Sequence, residues 1–247
     1  MALGRSLDIY YRDKARAQRM ARLNALFVPP GGLAFDIGAH VGDRTASFVQ
    51  LGASVVALEP QPRVFRALRL VHSKTQNVVL LQAAAGARPG VMEFYVNTAN
   101  PTVSTASSDL IVAARSAENW KAESWDHAIT VPVTTLEQLI SDYGRPDFVK
   151  IDVEGYEFQV LEGLDTPIRS LSFEFTTLQR EIACACVRRL GELGTYDFNV
   201  SFGEEHNLRH ATWRRPSEIC EEIRNCPAAA NSGDIYAVLR DGTAGFA

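Results

Sequence analysis

Apolar and polar positions along this chain follow two rhythms that take turns. Residues 33–37 form a short apolar run that reads as a strand, and residues 41–51 then recur with helical spacing. Residues 54–58 repeat the strand pattern and 62–73 the helical one, with Pro62 at the start as first helical positions favour. Residues 78–83 make a third strand, and 91–96 alternate apolar with polar as a short extra strand does. This βαβαβ order predicts a parallel, twisted sheet with right-handed crossovers.

Residues 97–127 break the rhythm. They hold Pro101, many Ser, Thr and Ala residues, and a short helical pattern near 109–117. A loop of this length inside a domain is usually functional or mobile, so it reads as a lid or substrate-side insertion, with a disordered surface loop as the competing reading. Order resumes with a strand at 129–133, a helix at 136–143 and a strand at 148–151. A short helix at 158–161, a strand at 170–175 and a helix at 179–193 follow. The tail offers a strand at 197–202, a helix at 216–223 and a last strand at 234–239. The count is seven core strands with helices on both faces, without an internal repeat or a low-complexity tract.

Composition adds bounds. A chain of 247 residues suits one large α/β domain, and 46% hydrophobic with 22% charged residues is ordinary for a soluble protein. A net charge of −4 gives no general reason to expect nucleic acid as a partner. The N-terminus is locally basic: Arg5, Arg12, Lys14, Arg16, Arg19 and Arg22 outnumber Asp8 and Asp13. With Leu7, Tyr10, Tyr11, Met20, Leu23, Leu26 and Phe27 interspersed, it reads as a basic amphipathic helix. We expect a helical extension over 1–30 whose apolar side packs on a main domain at 31–247; docking to a membrane surface or a partner is the alternative. No 18-residue apolar run exists, so no transmembrane helix is expected, and the N-terminus lacks the apolar core of a secretory signal. Cys184 and Cys186 diverge around one helix and make a poor metal pair; with Cys220 and Cys226 they read as reduced structural thiols of a cytoplasmic protein.

Two segments carry chemistry. The first strand runs into Asp36-Ile37-Gly38-Ala39-His40-Val41-Gly42-Asp43-Arg44-Thr45. Glycines there let a backbone approach a ligand, and the following helix N-terminus offers free amides. Glu59 ends the next strand, where a ribose-binding acid belongs. The spacing is G-x-x-x-G, not the dinucleotide G-x-G-x-x-G, and the charge of Asp36 would repel a pyrophosphate. The same charge favours a cationic adenosyl cofactor without phosphates, such as S-adenosylmethionine. A glycine turn kept for packing is the plain alternative. The second segment is Asp147-Phe148-Val149-Lys150-Ile151-Asp152-Val153-Glu154-Gly155. Val149 and Ile151 suit a buried strand, Lys150 points the other way, and Asp152 and Glu154 fall at the strand end, where open α/β sheets place ligands. A half-exposed edge strand with solvated charges is the competing reading.

These residues resemble the FkbM family of class I S-adenosylmethionine-dependent methyltransferases. The likeness spans about residues 33–239. It rests on Phe35 to Gly42, Glu59-Pro60, Val131 to Leu136, Phe148 to Glu157, Val160 to Gly163 and Gly233 to Ala237. It implies an α/β, Rossmann-like, seven-stranded sheet, mostly parallel with an antiparallel last strand, with helices on both faces. It also implies O-methylation of a hydroxyl on a sugar, glycan or natural-product small molecule. By resemblance Asp36, Gly38 and Gly42 would line the methionine side of the cofactor, and His40 and Thr45 of the same turn are further candidates for cofactor contact. Glu59, beside Pro60, would take the ribose, and Gln82, Ala83 and Ala84 would flank the adenine. His40 stands where the family often has Asn, and Glu137 replaces a frequent Asp. His40 either bonds the cofactor, acts as a base, or satisfies local backbone groups.

For methyl transfer, Asp152 is the first candidate for base or acceptor-positioning group, also against the cofactor. Glu154 shares its side by the period-two rule if the strand continues that far, and Lys150 shares it as well. Two clustered acids also admit Mg²⁺ held by Asp152, Glu154 and, as third ligand or substrate contact, Glu174; the other reading of Glu174 is a partner for Lys150. His206, with His210, Trp213, Arg214 and Arg215, would line an acceptor pocket or form a surface hairpin, and Ser104, Thr105, Ser107 and Ser108 carry the same two readings. The competing functions are a nicotinamide-dependent or sugar-nucleotide enzyme and a non-catalytic cofactor-binding protein. The absence of a Tyr-x-x-x-Lys pair and of the third glycine argues against the first.

Overall fold

The computed structural model describes Gly4 and residues 11–240. The expectations placed on Arg5, Leu7, Asp8 and Tyr10 lie outside the described residues. Ten strands form in chain order among them: β1 (Leu33–Ile37), β2 (Ser54–Leu58), β3 (Val78–Leu81), β4 (Ala84–Ala85), β5 (Gly90–Val96), β6 (His127–Thr134), β7 (Phe148–Ile151), β8 (Ser170–Thr176), β9 (Tyr196–Phe202) and β10 (Ser232–Leu239). Seven of them make the main sheet, in the order β3-β2-β1-β7-β8-β10-β9. The first five run parallel, and β10 inserts antiparallel between β8 and β9. The strand order reverses between β1 and β7, a switch point of the kind that opens a crevice at the carboxyl ends of strands.

Helices cover both faces. On one side lie α1 (Lys14–Asn24), α2 (Asp43–Gln50) and α3 (Pro62–Val71); Leu23, Phe48, Phe65 and Leu68 meet Ala34, Phe148 and Tyr236 of the sheet. A short helix, α4 (Ser108–Arg115), belongs to the insertion. On the other side α5 (Leu136–Tyr143), α6 (Glu157–Glu162), α7 (Arg180–Leu193) and α8 (Pro216–Asn225) bury Leu139, Val160, Val187 and Ile219 against Phe35, Val149, Ile151 and Phe173. The starts are set locally. Thr135 caps α5 by accepting from the Gln138 amide, and Ser107 caps α4 by accepting from that of Leu110. Among the described residues no helix is long and apolar enough to cross a membrane.

Two expectations change. The strand expected over 78–83 stops at Leu81, and beyond it Ala84 and Ala85 turn away to pair with Val133 and Thr134 of β6. With β5 antiparallel to β6, these strands form a separate three-stranded sheet around Ala84, Phe94 and Val131. The insertion is also not a loose loop. Thr105 bridges Tyr95, Leu110 and Trp120 are buried, and the Trp125 indole donates to the Val103 carbonyl at 2.9 Å. All four cysteines are buried and unbridged.

Candidate functional site

One cavity opens at the carboxyl ends of β1, β2 and β7. At its first end the backbone of β1 turns sharply, with the Gly38 and Ala39 amides donating to the Leu58 carbonyl at 3.0 and 2.8 Å. Gly38 has φ +85°, and a Cβ there would lie 1.8 Å from the Asp152 carbonyl oxygen. The glycine is needed for a backbone-to-backbone contact between the two chemical segments. Gly42, at φ +87°, faces Leu68 and His72 of the α3 side, where a Cβ would meet them at 2.5 and 2.6 Å. Gly42 is not among the residues that line the cavity, although by resemblance it was expected on the methionine side of the cofactor.

Two acids are buried at this end. Asp36 accepts from the Thr45 hydroxyl at 2.5 Å; burial pushes its carboxyl up to about 6, although Thr45 and the more distant Lys150 and Arg44 pull it down. Thr45 therefore serves Asp36 and does not reach the cavity wall. Glu59 accepts from the Gln61 amide at 2.8 Å and the His40 amide at 3.1 Å, one on each oxygen, and burial pushes it up to about 7. His40 sits at φ +48° with its imidazole held below the ordinary histidine range by burial.

The second end is built on β7. Lys150 is 1% exposed and on the face opposite Val149 and Ile151, as the alternation requires. Its ammonium donates to Asp152 at 2.9 Å, to Asp234 of β10 at 2.8 Å and to the Ile151 carbonyl at 3.3 Å. Asp234 also receives Arg44 of α2 at 3.0 Å. Burial would lower the lysine and raise the aspartate; the ion pairs overcome it, so Lys150 is held above its usual range and Asp234 below. Lys150 therefore pairs with Asp152 and Asp234, not with Glu174. Strand β7 ends at Ile151, so Glu154 does not continue the alternation. It sits in a turn at φ +56°, fixed by the Glu157 carboxylate, which accepts the Val153 and Gly155 amides at 3.2 and 3.1 Å. The Thr105 hydroxyl donates to the Glu154 carbonyl at 2.6 Å, tying the insertion to this turn. The carboxylates of Asp152, Glu154 and Glu174 come within 4.8 Å of one another. Burial, and next the charge of Asp152, raise both Glu154 and Glu174 well above the carboxylate range.

Of the residues expected from sequence, Asp36, Gly38, His40, Glu59 and Pro60 line this cavity, as do Ala83, Ala84, Lys150, Asp152 and Glu154. Gly42, Thr45, Gln82, Glu174 and His206 do not. Gln82 is exposed, because its side chain leaves the sheet where β3 ends. His206 is buried 3.1 Å from Glu204, and it is Glu204 that reaches the cavity. Its neighbours His210, Trp213, Arg214 and Arg215 do not line the cavity: His210 meets Glu222 at 2.7 Å, and Trp213 stands edge-on to Phe27. Sequence reading missed Arg16 of α1, which bridges Asp43 and Glu204 at 2.9 and 2.7 Å on the cavity wall. It also missed Arg44 and Asp234 as partners of Lys150. Only the isolated acid opening the apolar run 234–239 hinted at the latter.

The profile of the methyltransferase FkbM domain matches residues 36–226. The hexuronic acid methyltransferase AglP of Haloferax volcanii is 23% identical over 164 residues, covering 66% of this chain and 62% of that protein. The aligned part thus spans less than two thirds of that relative's length. Among solved structures, the precorrin-6y C5,15-methyltransferase of Geobacter metallireducens has a TM-score of 0.49 at 14% identity, covering 92% of this chain and 88% of that one. The fibrillarin of Aeropyrum pernix, in complex with natively bound S-adenosyl-L-methionine, has a TM-score of 0.45 at 15% identity, over 93% and 76%.

Proposed function

The chain belongs to the FkbM methyltransferase family, and from that premise we propose an O-methyltransferase that uses S-adenosylmethionine and acts on a hydroxyl of a sugar, glycan or related natural product. The observation that carries this reading is one cavity with buried acids at one end and the Lys150–Asp152 pair at the other. The donor set fits the cofactor. Asp36 and Glu59 suit a cationic, ribose-bearing ligand, and Ala83, Ala84 and Phe94 offer an apolar wall for a base. Arg16, Arg44 and Lys150 are each engaged by acids, so the wall sets no cation aside for a pyrophosphate, which weighs against a nicotinamide or sugar-nucleotide ligand. The hexuronic acid methyltransferase relative supports a sugar-type acceptor.

Bound S-adenosylmethionine supplies an electrophilic methyl group on a sulfonium. Asp36 and Glu59 hold the cofactor end, and the contact of Gly38 with the Asp152 backbone sets the distance between that end and the acceptor. Lys150 fixes one carboxylate oxygen of Asp152 and leaves the other uncommitted, to orient the acceptor hydroxyl and take its proton. General-base catalysis of this kind typically contributes about 10²–10⁴-fold.

Calorimetry with S-adenosylhomocysteine and with NAD tests the cofactor; binding of NAD alone would sink the reading. A panel of sugar and polyketide hydroxyls with radiolabelled cofactor tests the acceptor. Asp152→Asn should lower turnover by at least about 100-fold while cofactor affinity stays within a few-fold. Unchanged turnover would remove Asp152 from this role.

A further inference from the structure

Every buried charge around Lys150 has a partner except two. The three N–H groups of Lys150 are spent on Asp152, Asp234 and the Ile151 carbonyl, which leaves it none for another acid. Arg44 is held by Asp234. Glu154 is 9% exposed, and its carboxylate has no hydrogen bond or ion pair from any described residue. Glu174 is likewise without one, and its Oε2 is buried. These two unpartnered side chains converge with Asp152 within 4.8 Å. Carboxylates taken from water without a counter-charge are costly, and a chain that builds such a group leaves a place for positive charge from outside.

We propose that Asp152, Glu154 and Glu174 form a binding site for one divalent cation of the oxygen-preferring kind, Mg²⁺ or Mn²⁺, at the acceptor end of the cavity. The size of the guest follows from placement. Asp152 and Glu154 line the cavity whereas Glu174 does not and its Oε2 is buried, so a ligand touching all three is a bare ion and not an organic ammonium. All three ligands are hard oxygen donors, which select Mg²⁺, Mn²⁺ or Ca²⁺ over thiophilic metals. Oxygens around an ion at about 2.1 Å lie roughly 3–4 Å apart, within a small side-chain adjustment of the present spacing. Three carboxylates leave coordination positions open toward the cavity, where two neighbouring hydroxyls of an acceptor would enter. That use of the ion rests on the proposed methyl transfer to a hydroxylated acceptor; its binding does not.

The test is a Mn²⁺ titration of the whole chain at pH 8, read by electron paramagnetic resonance, with Mg²⁺ as competitor and S-adenosylhomocysteine binding measured on the same samples. One Mn²⁺ per chain is expected, displaced by Mg²⁺. Its affinity should fall at least tenfold in Glu174→Gln and in Glu154→Gln, with S-adenosylhomocysteine affinity unchanged in both. Melting curves without metal show that each variant folds, and the rise in melting temperature on adding Mn²⁺ should be confined to the wild type. No bound ion at millimolar Mn²⁺, or equal affinity in wild type and both variants, overturns the site. Mn²⁺ binding without S-adenosylhomocysteine binding would leave the cation site standing and remove the methyl-transfer reading.

Discussion

The two ends of the cavity are both acidic, yet they treat their acids in opposite ways. At the β1–β2 end each carboxylate has donors built in: Thr45 for Asp36, and the His40 and Gln61 amides for Glu59. At the β7 end Asp152 shares Lys150, while Glu154 and Glu174 have no donor among the described residues. The first end is finished without its ligand, because hydrogen bonds to backbone amides cost no rearrangement when a ligand arrives. The second end is unfinished. Pre-organised acids select a ligand by shape and hydrogen bonding, whereas unpaired acids select it by charge.

The largest blow to this contrast is Lys150→Met. It strips Asp152 and Asp234 of their ammonium, and breaking such a buried pair typically costs about 3–5 kcal/mol, read as a shift in the urea midpoint. A loss below about 1 kcal/mol would show that the second end is already relieved by solvent. Next is Glu59→Gln, which keeps one acceptor for an amide but removes the charge. A hydrogen bond to a charged group contributes about 1.5–3 kcal/mol, so S-adenosylhomocysteine affinity should fall about 10- to 100-fold in calorimetry, in protein that still folds although one of the two amides loses its acceptor. Unchanged affinity would place the ribose elsewhere.

A pH series sharpens the contrast at the finished end. Asp36 stands at about 6, facing Asp43 on one side and Lys150 and Arg44 on the other; Glu59, at about 7, feels the charge of Asp36. Both are raised, so between the unfolded carboxylate range and these values the native state holds more protons than the unfolded one. Stability of the unliganded protein therefore falls as pH rises from about 4 to 7. Affinity for a cationic cofactor moves the other way, rising by up to about fourfold between pH 5.5 and 8 as Asp36 ionises. Parallel trends in the two measurements would contradict the assignment. The smallest effect belongs to Thr105→Val, which removes a hydroxyl that donates to the Glu154 carbonyl and accepts from the Ser107 amide. Stability should fall by about 1–2 kcal/mol, and turnover should drop without a change in cofactor affinity.

Much of this was legible in the pattern of residues. Strands at 33–37, 54–58 and 148–151 and the helix at 136–143 coincide with the observed elements, because each is an apolar run or face closed by a turn residue. Alternation also placed Lys150 opposite Val149 and Ile151. It could not name the lysine's partner, because Ser172, its neighbour in register on β8, is small and the ammonium reaches past it to Asp234 on the next strand. Arg16 and Arg44 escaped for the same reason: a helical period gives the face a residue occupies, not the acid that waits across a cavity. Gly42 was expected on the ligand side by resemblance; its lack of a Cβ leaves room for Leu68 and His72, a packing need that no local pattern announces. The early stop of the strand expected over 78–83 depended on β6, some fifty residues away in sequence, which no local signal announces.

The contact between Gly38 and the Asp152 carbonyl has a mechanical consequence. Side chains that set a gap between two loops can swap rotamers, and the gap then fluctuates with them. Here one main chain rests on another, with only a hydrogen atom where any other residue would carry carbon. The spacing between the two ends of the cavity is thus gauged by peptide units alone, and it stays constant whichever conformers His40, Asp152 and Glu154 visit.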